Sequence, residues 1–195
     1  MKLALFDFDG TITTKDSLPD FIQHAIGKRA YFIGVFKLSP MLTAYKLKLI
    51  KNDVAKEIFI SHFFSNWDEK SFNEIAEQYA ANRIDKITRP KAMKKILWHL
   101  EQDHKVVIVS ASMESWLRNW CDKHNIELLS TRLEVKNGRL TGKFATKNCY
   151  GLEKEERVRE QFDLQSYEYI YAYGDSPGDK ELLALADEAH YKPFQ

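Results

Sequence analysis

Short apolar runs alternate with amphipathic segments along much of the chain. Four apolar runs have the length of buried strands: Leu3 to Phe6, Val106 to Val109, Ile126 to Leu129 and Tyr169 to Tyr173. Helical spacing of apolar residues occurs in four further segments: Ala92 to Leu100, Glu114 to Lys123, Glu153 to Phe162 and Lys180 to Ala186. This alternation predicts an α/β fold with a doubly wound parallel sheet, a Rossmann-like core, and a last short strand near Ala189 to Tyr191.

Between the first strand and residue 88 the sequence has helical spacing and almost no strand pattern. Four helix starts are marked by capping residues or an early proline: Ser17 as an N-cap, Pro40, Asn52 or Asp53, and Ser71. A further apolar piece extends from Ala30 to Phe36. We therefore predict an inserted all-helical cap of four helices at 17–87, and an α/β core made of 1–16 and 88–195.

The segment Glu134 to Thr141 alternates on both sides of Asn137-Gly138. Asn-Gly accommodates the positive φ angles of a tight two-residue turn, and it is the strongest short-range signal of a β-hairpin. We therefore predict one antiparallel hairpin in the later part of the chain, next to the otherwise parallel sheet.

The composition argues against several classes of partner. The chain has 29 basic and 28 acidic residues and a net charge of +1, so no overall field attracts nucleic acid. No uncharged apolar run approaches the length of a transmembrane helix, and the run before Asp7 is too short for a signal peptide. The six histidines and the two cysteines, Cys121 and Cys149, form no zinc-binding or paired motif. We expect a cytoplasmic protein with reduced thiols and no nucleic-acid partner.

The near-neutral total conceals one basic segment. Residues 28–52 contain six basic residues and no acidic one, whereas the rest of the chain has a net charge of −5. The same segment is rich in aromatic and aliphatic residues, among them Phe32, Phe36 and Tyr45. Either the apolar side chains pack inside the cap and the lysines stay in water, or the segment attracts an anionic, partly apolar substrate. The second alternative predicts peripheral contact with a membrane surface through 28–52.

The first strand ends on two carboxylates, Asp7 and Asp9, which are followed by Gly10 and Thr11. The carboxyl end of a parallel strand is where open α/β sheets bind ligands. Two close carboxylates repel each other, so either one is protonated or a cation lies between them. Mg²⁺ suits this oxygen-only set because it binds one or two carboxylates and completes its shell with water and substrate phosphate. Gly10 and Thr11 add a flexible turn with free amides and a hydroxyl.

Two later strand ends carry polar groups suited to phosphate or metal. The second strand is followed by Ser110 and Ala111, where a hydroxyl and turn amides can hold phosphoryl oxygens. Ser110 could equally cap the next helix. The strand that ends at Tyr173 is followed by Asp175 and Asp179, an acidic pair around Ser-Pro-Gly that suits an oxygen-rich metal site. Asp179 could instead cap the last helix.

These residues together resemble a known family. Asp7-Phe8-Asp9-Gly10-Thr11 resembles the DxDGT signature of the haloacid-dehalogenase-like superfamily, the strand ending at Ser110 resembles its second motif, and the Asp175 to Asp179 loop resembles its fourth. Lys154, 21 residues before Asp175, resembles the third-motif lysine of the phosphoserine-phosphatase-like branch (subfamily IB), with Lys147 as the alternative. The helical insertion and the hairpin are similar to that branch, which also includes phosphatases of other monoesters, among them phosphatidylglycerophosphate.

The resemblance implies a Mg²⁺-dependent hydrolase of phosphate monoesters that forms an aspartyl phosphate. Asp7 would be the nucleophile, and Asp9 would act as general acid and then as general base. The metal would be held by Asp7, the backbone carbonyl of Asp9 and Asp175, with Asp179 in support. Lys154 would offset negative charge during the reaction. The remaining phosphate-binding groups would be Ser110, Ala111, Gly10 and Thr11.

Other activities stay open at this point. A phosphotransferase or phosphomutase would use the same two aspartates and differ in what accepts the phosphoryl group, and a non-catalytic phosphate- or lipid-binding module is a further alternative. A dehalogenase is disfavoured because it needs no leaving-group acid at Asp9. Asp16 stands where phosphoserine phosphatases place a glutamate, and neither candidate cap arginine, Arg29 or Arg83, lies in a recognisable motif. The predicted substrate is therefore a small-molecule or lipid phosphate monoester, without a choice between them.

Overall fold

The computed structural model describes residues 1–195. Its strands, numbered along the chain, are β1 (Lys2–Phe6), β2 (Lys105–Met113), β3 (Glu127–Thr131), β4 (Leu133–Lys136), β5 (Arg139–Phe144), β6 (Tyr169–Gly174) and β7 (Glu188–Tyr191). Its helices are α1 (Ser17–Ile26), α2 (Lys28–Lys37), α3 (Ser39–Lys46), α4 (Asn52–Phe64), α5 (Glu69–Asn82), α6 (Ile84–Ile87), α7 (Pro90–Glu101), α8 (Glu114–Lys123), α9 (Leu152–Gln161) and α10 (Lys180–Leu183). Five strands form one sheet in the order β3-β2-β1-β6-β7, and every neighbouring pair is parallel. The predicted α/β fold with a parallel sheet is confirmed.

The central strand β1 is covered on both faces. Successive side chains of a strand point to opposite faces of the sheet. Leu3 and Leu5 belong to a core cluster with α9 and α10, whereas Ala4 and Phe6 belong to a second cluster on the other face. All four residues are fully buried. This two-sided burial explains why the strand is a continuous apolar run in the sequence rather than an alternating one.

The helices α1 to α6 follow β1 before the chain returns to the sheet through α7. The helices predicted from the sequence correspond to α1, α3, α4 and α5, and the apolar piece Ala30 to Phe36 corresponds to α2. The single turn α6 was not predicted. The prediction that Ser17 caps α1 is wrong. The Asp16 carboxylate caps it by accepting from the Leu18 N–H at 2.9 Å, and Ser17 lies in the first turn. No helix of the structure has both the length and the apolar character needed to cross a membrane.

The predicted hairpin is present as β4 and β5. Asn137 and Gly138 both adopt positive φ, 53° and 70°, as a tight turn requires. The backbone of Leu140 exchanges hydrogen bonds of 2.8 and 2.9 Å with the turn between α4 and α5. At Gly142 the strand β5 approaches α4 so closely that a Cβ atom would lie 2.6 Å from the Ser61 Cα. The hairpin therefore packs on the helical insertion, although the two are far apart in the sequence.

Aromatic side chains join the helical insertion to the helices of the sheet. Phe21 of α1 is fully buried, and its ring stacks on the Trp116 ring of α8 with centroids 4.4 Å apart. The same ring meets Phe72 and Tyr79 of α5 edge-on at 5.5 and 5.3 Å, and Phe64 of α4 lies 5.6 Å away. This one side chain of α1 thus contacts three other helices, so the insertion and the sheet share a single core on this face.

Replacing Phe21 with alanine should lower the free energy of unfolding by about 3–5 kcal/mol, because the cavity left behind is enclosed by helices that cannot close over it. Urea unfolding followed by circular dichroism measures this change. The matched control is Phe36→Ala, because Phe36 is 80% exposed. That substitution should change the stability by no more than about 0.5 kcal/mol. Equal losses in the two variants would contradict the shared core.

Candidate active site

The carboxyl ends of β1, β2 and β6 lie side by side, because β1 runs between the other two strands. Beyond β1 the Asp7 N–H still donates to the Tyr173 carbonyl of β6 at 2.9 Å, so Asp7 stays in register at the edge of the sheet. Ser110 lies near the end of β2, and Asp175 follows β6 directly. The strand ends selected from the sequence therefore meet in one place.

A single buried lysine joins two of the carboxylates. Lys154 lies in the first turn of α9 and is 2% exposed, and its Nζ lies 2.5 Å from Asp7 Oδ1 and 2.7 Å from Asp179 Oδ1. Burial disfavours the charge on the ammonium, yet the two carboxylates together raise the pKa of Lys154 above its usual range. The alternative residue, Lys147, is exposed and pairs with glutamates of α9 instead.

Asp179 stabilises the loop after β6. Its Oδ2 accepts from the N–H of Asp175 at 3.1 Å, from the N–H of Ser176 at 2.9 Å and from the Ser176 hydroxyl at 2.8 Å. Burial raises the pKa of Asp179, but Lys154 and the Ser176 bonds lower it more, so the pKa lies below its usual value. Asp179 occupies the N-cap position of α10, but its side chain makes no capping bond to that helix. It positions Asp175 through that residue's backbone.

Asp9 has a separate set of partners. Its Oδ1 accepts from the Ser17 N–H at 2.6 Å, at the N-terminus of α1, and its Oδ2 accepts from the Ser112 hydroxyl at 2.5 Å. The free amides and the dipole of a helix N-terminus stabilise a carboxylate. Burial, with the nearby Asp16 carboxylate, nonetheless raises the pKa of Asp9 to about 6. Both protonation states of Asp9 are therefore accessible near neutral pH.

The hydroxyl that binds Asp9 is the end of a hydrogen-bonded chain. Ser112 Oγ lies 2.8 Å from Ser17 Oγ, and the Trp116 Nε1–H donates to Ser17 Oγ at 3.3 Å. An indole N–H only donates and an ionised carboxylate only accepts, so the direction runs from Trp116 through Ser17 and Ser112 to Asp9. Ser17 and Ser112 were not predicted as site residues from the sequence. The one local signal was a second hydroxyl two residues after Ser110.

Ser110 is fully buried, and its Oγ accepts from the Ser112 N–H at 3.0 Å. The alternative that Ser110 caps the following helix is wrong, because α8 begins at Glu114 without a side-chain cap. β2 continues past the predicted apolar run to Met113, with an irregular register against β3 after Ser110. This extension carries the polar residues Ser110 and Ser112 into the site instead of into a helix.

The turn after Asp9 brings Asp175 close to Asp7. Gly10 adopts a φ of 85°, and a Cβ atom there would lie 2.5 Å from Asp175 Oδ2, so the approach requires glycine at this position. The Thr11 hydroxyl lies 2.9 Å from Asp7 Oδ2 and 3.2 Å from Asp175 Oδ1. Its one proton can serve only one of these carboxylates at a time. The pair is therefore incompletely satisfied by protein donors.

The carboxylates fit a hard divalent cation. Oxygen atoms of Asp7, Asp175 and Asp179 lie within 4.8 Å of one another, and Lys154 is the only cation bonded to them. Burial raises the pKa of Asp7 to about 7, although the positive charge of Lys154 opposes this shift. The pKa of Asp175 is also raised, mainly by burial and to a smaller extent by repulsion from Asp179. An excess of hard oxygen donors over positive charge suits Mg²⁺. The Asp9 carboxylate is bonded elsewhere, which leaves its backbone carbonyl for the predicted metal contact.

A cavity of about 420 Å³ is lined by these groups and by the helical insertion. The insertion supplies an apolar wall: Leu18, Pro19, Leu42, Tyr45, Ala55 and Phe59. It also supplies Lys56 of α4, whose Nζ donates to the Ala111 carbonyl at 2.7 Å and whose pKa is lowered by burial. Lys56 was not predicted from the sequence, because nothing in the local pattern separates it from the other lysines of the insertion.

The model of the haloacid dehalogenase-like hydrolase family matches residues 4–184 of the chain. The chain belongs to this family. It is also similar to Protein CicA of Caulobacter vibrioides, with 33% identity over 195 residues that cover 99% of this chain and 86% of CicA. The family that the motifs resemble is therefore confirmed.

Solved structures share the fold of this haloacid dehalogenase-like hydrolase. A protein of unknown function from Bordetella pertussis Tohama I has a TM-score of 0.79 at 20% identity, over 97% of this chain and 88% of the other. A probable phosphoserine phosphatase from Vibrio cholerae has a TM-score of 0.70 at 15% identity, over 95% of this chain and 54% of the other. At these identities the likeness establishes the fold and nothing finer.

The candidate cap arginines do not line the cavity of this haloacid dehalogenase-like hydrolase. Arg29 is exposed on α2, and Arg83 pairs with Asp20 at 3.0 Å. Asp16, which stands where phosphoserine phosphatases place a glutamate, both caps α1 and lines the cavity. The polar residues of the insertion that line the cavity are therefore Asn52 and Lys56, and Asp16 lies directly before the insertion.

Mg²⁺ should raise the melting temperature of the wild-type haloacid dehalogenase-like hydrolase, because binding to the folded state alone stabilises it. Asp175→Asn should bind Mg²⁺ more weakly by more than about tenfold, and its melting temperature should therefore respond only at correspondingly higher Mg²⁺ concentrations. It should not lower the melting temperature in EDTA, because it removes a carboxylate that Asp179 repels. Differential scanning fluorimetry measures both effects, with the exposed Asp122→Asn as control. A variant that is destabilised in EDTA but still responds to Mg²⁺ would contradict the assignment.

Proposed function

We propose that this haloacid dehalogenase-like hydrolase is a Mg²⁺-dependent phosphatase of phosphate monoesters that forms an aspartyl phosphate on Asp7. The observation that carries the proposal is the different bonding of two neighbouring carboxylates. Asp7 faces Lys154 and Asp175, whereas Asp9 is bonded to the N-terminus of α1 and to Ser112. Such different surroundings suit different roles, with one group as nucleophile and the other as acid and base.

In the first step a carboxylate oxygen of Asp7 attacks the phosphorus in line with the leaving oxygen. The bond from phosphorus to that oxygen breaks, Asp9 gives it a proton, and the alcohol leaves. A pKa near 6 provides a protonated fraction of Asp9 at neutral pH. Lys154 offsets the negative charge that accumulates around the phosphoryl oxygens. The Ser110 hydroxyl and the Thr11 amide complete the binding of those oxygens, whereas the Gly10 N–H donates to Thr13 Oγ1 at 3.2 Å within the turn.

In the second step a water molecule attacks the phosphorus of the aspartyl phosphate. Asp9, now ionised, takes a proton from that water, and the bond between phosphorus and the Asp7 oxygen breaks. Inorganic phosphate leaves, and both carboxylates return to their starting protonation states. The chain from Trp116 through Ser17 to Ser112 holds Asp9 in place during both steps, because it fixes the hydroxyl at Asp9 Oδ2.

Asp7, the Asp9 backbone carbonyl and Asp175 would hold Mg²⁺, which would neutralise phosphoryl oxygens and keep the Asp7 carboxylate ionised. Asp179 would orient Asp175, because it binds the Asp175 N–H. This arrangement gives each of the four aspartates a separate task.

We assign residues 17–87 as a cap on a core made of 1–16 and 88–195. In support, α1, α3 and α4 supply the apolar wall of the cavity, whereas the core supplies Asp7, Ser110 and Lys154. An apolar wall suits a leaving alcohol that has an aromatic or hydrocarbon part. An aryl phosphate such as p-nitrophenyl phosphate is therefore a suitable first substrate.

The chain should hydrolyse p-nitrophenyl phosphate in the presence of Mg²⁺, and Asp7→Asn should lower kcat by at least about 10⁴-fold because it removes the nucleophile. Asp9→Asn should lower kcat by about 10²–10⁴-fold and still show the Mg²⁺-dependent rise in melting temperature, because its backbone carbonyl is unchanged. Acid quench followed by mass spectrometry should locate the phosphoryl group on the peptide that contains Asp7.

Near-normal turnover by Asp7→Asn would exclude the proposed mechanism. Labelling of Asp7 without release of inorganic phosphate, and with release on addition of a second alcohol, would instead identify a phosphotransferase or phosphomutase. Absence of both labelling and turnover across a panel of phosphate monoesters would leave a phosphate-binding module as the function.

Lys154→Ala should lower kcat by at least about 10²-fold, whereas Lys147→Ala should leave it unchanged within about twofold. The reason is that Lys154 contacts Asp7 and is buried, whereas Lys147 is exposed on the surface. Steady-state kinetics with circular dichroism as a folding control measures the difference. The reverse order of effects would place the catalytic cation at Lys147.

A further inference from the structure

Helix α2 has one face packed on the rest of the insertion. At Gly34 it touches α4 so closely that a Cβ atom would lie 2.3 Å from the Phe63 ring. The Tyr31 ring stacks on Phe63 with centroids 6.0 Å apart, and Val35 packs on the same core. These contacts fix which side of α2 faces inward, and therefore which side faces the solvent.

The outward side of α2 is apolar as well. Phe36 lies four residues after Phe32 and three after Ile33, so all three lie on one side of the helix, and they are 61%, 49% and 80% exposed in chain order. The exposures of Phe32, Ile33 and Phe36 are thus all high for apolar side chains. Between its charged ends, Lys28 with Arg29 and Lys37, α2 has no charged residue, and a helical segment that is apolar all round is normally buried. Because α2 lies at the surface, its outer face lacks the partner that this composition favours.

The turn after α3 adds two more exposed apolar side chains. Leu47 and Leu49 are 66% and 76% exposed, and Lys48 between them adopts a φ of 60°. This conformation is uncommon for a residue other than glycine. The turn ends α3 while leaving both leucines in the solvent. We call the exposed residues of 28–51 the basic apolar face.

The cations of the basic apolar face are free to meet an anionic partner. They are Lys28, Arg29, Lys37, Lys46, Lys48 and Lys51, and all six are exposed. None of them makes a salt bridge. The rest of the chain has a net charge of −5, so the positive charge is concentrated here.

These features match the surface of an anionic lipid bilayer. Aromatic and aliphatic side chains enter the boundary between head groups and acyl chains, while lysine and arginine bind anionic head groups. A second copy of the chain is a poorer partner, because a two-fold interface through this face would bring two sets of six cations together. We propose that the basic apolar face binds peripherally to an anionic bilayer.

Helix α3, which supplies part of the basic apolar face, also lines the cavity. Leu42 and Tyr45 of α3 belong to the apolar wall, and the Tyr45 hydroxyl accepts from Asn52 Nδ2 at 2.9 Å at the start of α4. Binding through the basic apolar face therefore brings the cavity of Asp7 to the bilayer. On the basis of the proposed function, the substrate is then a phosphate monoester exposed at the lipid surface, with its apolar part against α3.

The first test is co-sedimentation of the full chain with vesicles. Vesicles of phosphatidylcholine mixed with phosphatidylglycerol should bind the protein at low salt, those of phosphatidylcholine alone should not, and salt should weaken the binding. The double variant Lys46→Glu, Lys48→Glu should bind at least about 30-fold more weakly. Phe36→Ser should bind about tenfold more weakly, because an apolar contact with the bilayer is lost.

Matched controls come from α7. Lys91→Glu with Lys94→Glu makes the same change of charge on an exposed surface, and Leu97→Ser removes an apolar side chain that is 44% exposed. Neither control should alter vesicle binding. All these variants should hydrolyse p-nitrophenyl phosphate like the wild type. Hydrolysis of phosphatidic acid in anionic vesicles should be lost only in the two variants of the basic apolar face, which are the double lysine variant and Phe36→Ser.

Absence of vesicle binding at low salt would overturn the proposal, and so would equal weakening by the α7 variants. Dimerisation in light scattering that Phe36→Ser abolishes would assign the face to a second copy instead. Vesicle binding with no hydrolysis of any phosphate monoester would support the bilayer surface and refute the proposed phosphatase. Hydrolysis of p-nitrophenyl phosphate without vesicle binding would support the proposed phosphatase and refute the bilayer surface.

Discussion

The site depends on one buried ammonium group that is surrounded by an excess of carboxylates. Lys154 connects Asp7, at the end of β1, with Asp179, in the loop after β6, so it joins three separate parts of the chain. Without it two buried carboxylates would face each other unpaired, which is strongly destabilising. With it, the carboxylates still outnumber the positive charge, and this excess is why we propose that the site holds a divalent cation. Under the proposed function, stability and metal affinity depend on the same charge balance.

The strand ends could be predicted from the sequence because a buried strand that ends in polar residues is a local pattern. Asp7, Ser110 and Asp175 were found in this way, and the parallel sheet brings them together as expected. The residues that hold Asp9 in place could not be predicted, because they act through contacts between α1, β2 and α8, and a local sequence pattern contains no information on such contacts. Ser17 illustrates the difference. Its position before a helix predicts a cap. In the structure its backbone N–H donates to Asp9, and its hydroxyl is bonded to the Ser112 hydroxyl that donates to Asp9.

The boundary between insertion and core is less sharp in three dimensions than in the sequence. A change of periodicity near residue 88 marks it along the chain, but the β4–β5 hairpin packs on α4, and Phe21 shares its core with α8. The close approach of β5 to α4 at Gly142 makes the hairpin contact possible. Such contacts depend on the complementary shapes of segments that are far apart in the sequence, so the local patterns that predict helices and strands do not predict them.

Trp116 gives this arrangement an optical consequence. Its indole N–H is bonded to Ser17 and its ring stacks on Phe21, so both of its polar and aromatic partners belong to α1. Indole emission depends on hydrogen bonding and on the polarity around the ring. A displacement of α1 from α8 would therefore change the emission of Trp116, without any added label. In a chain whose other tryptophans, Trp67, Trp98 and Trp120, are replaced, Trp116 would report the position of the helix that holds Asp9.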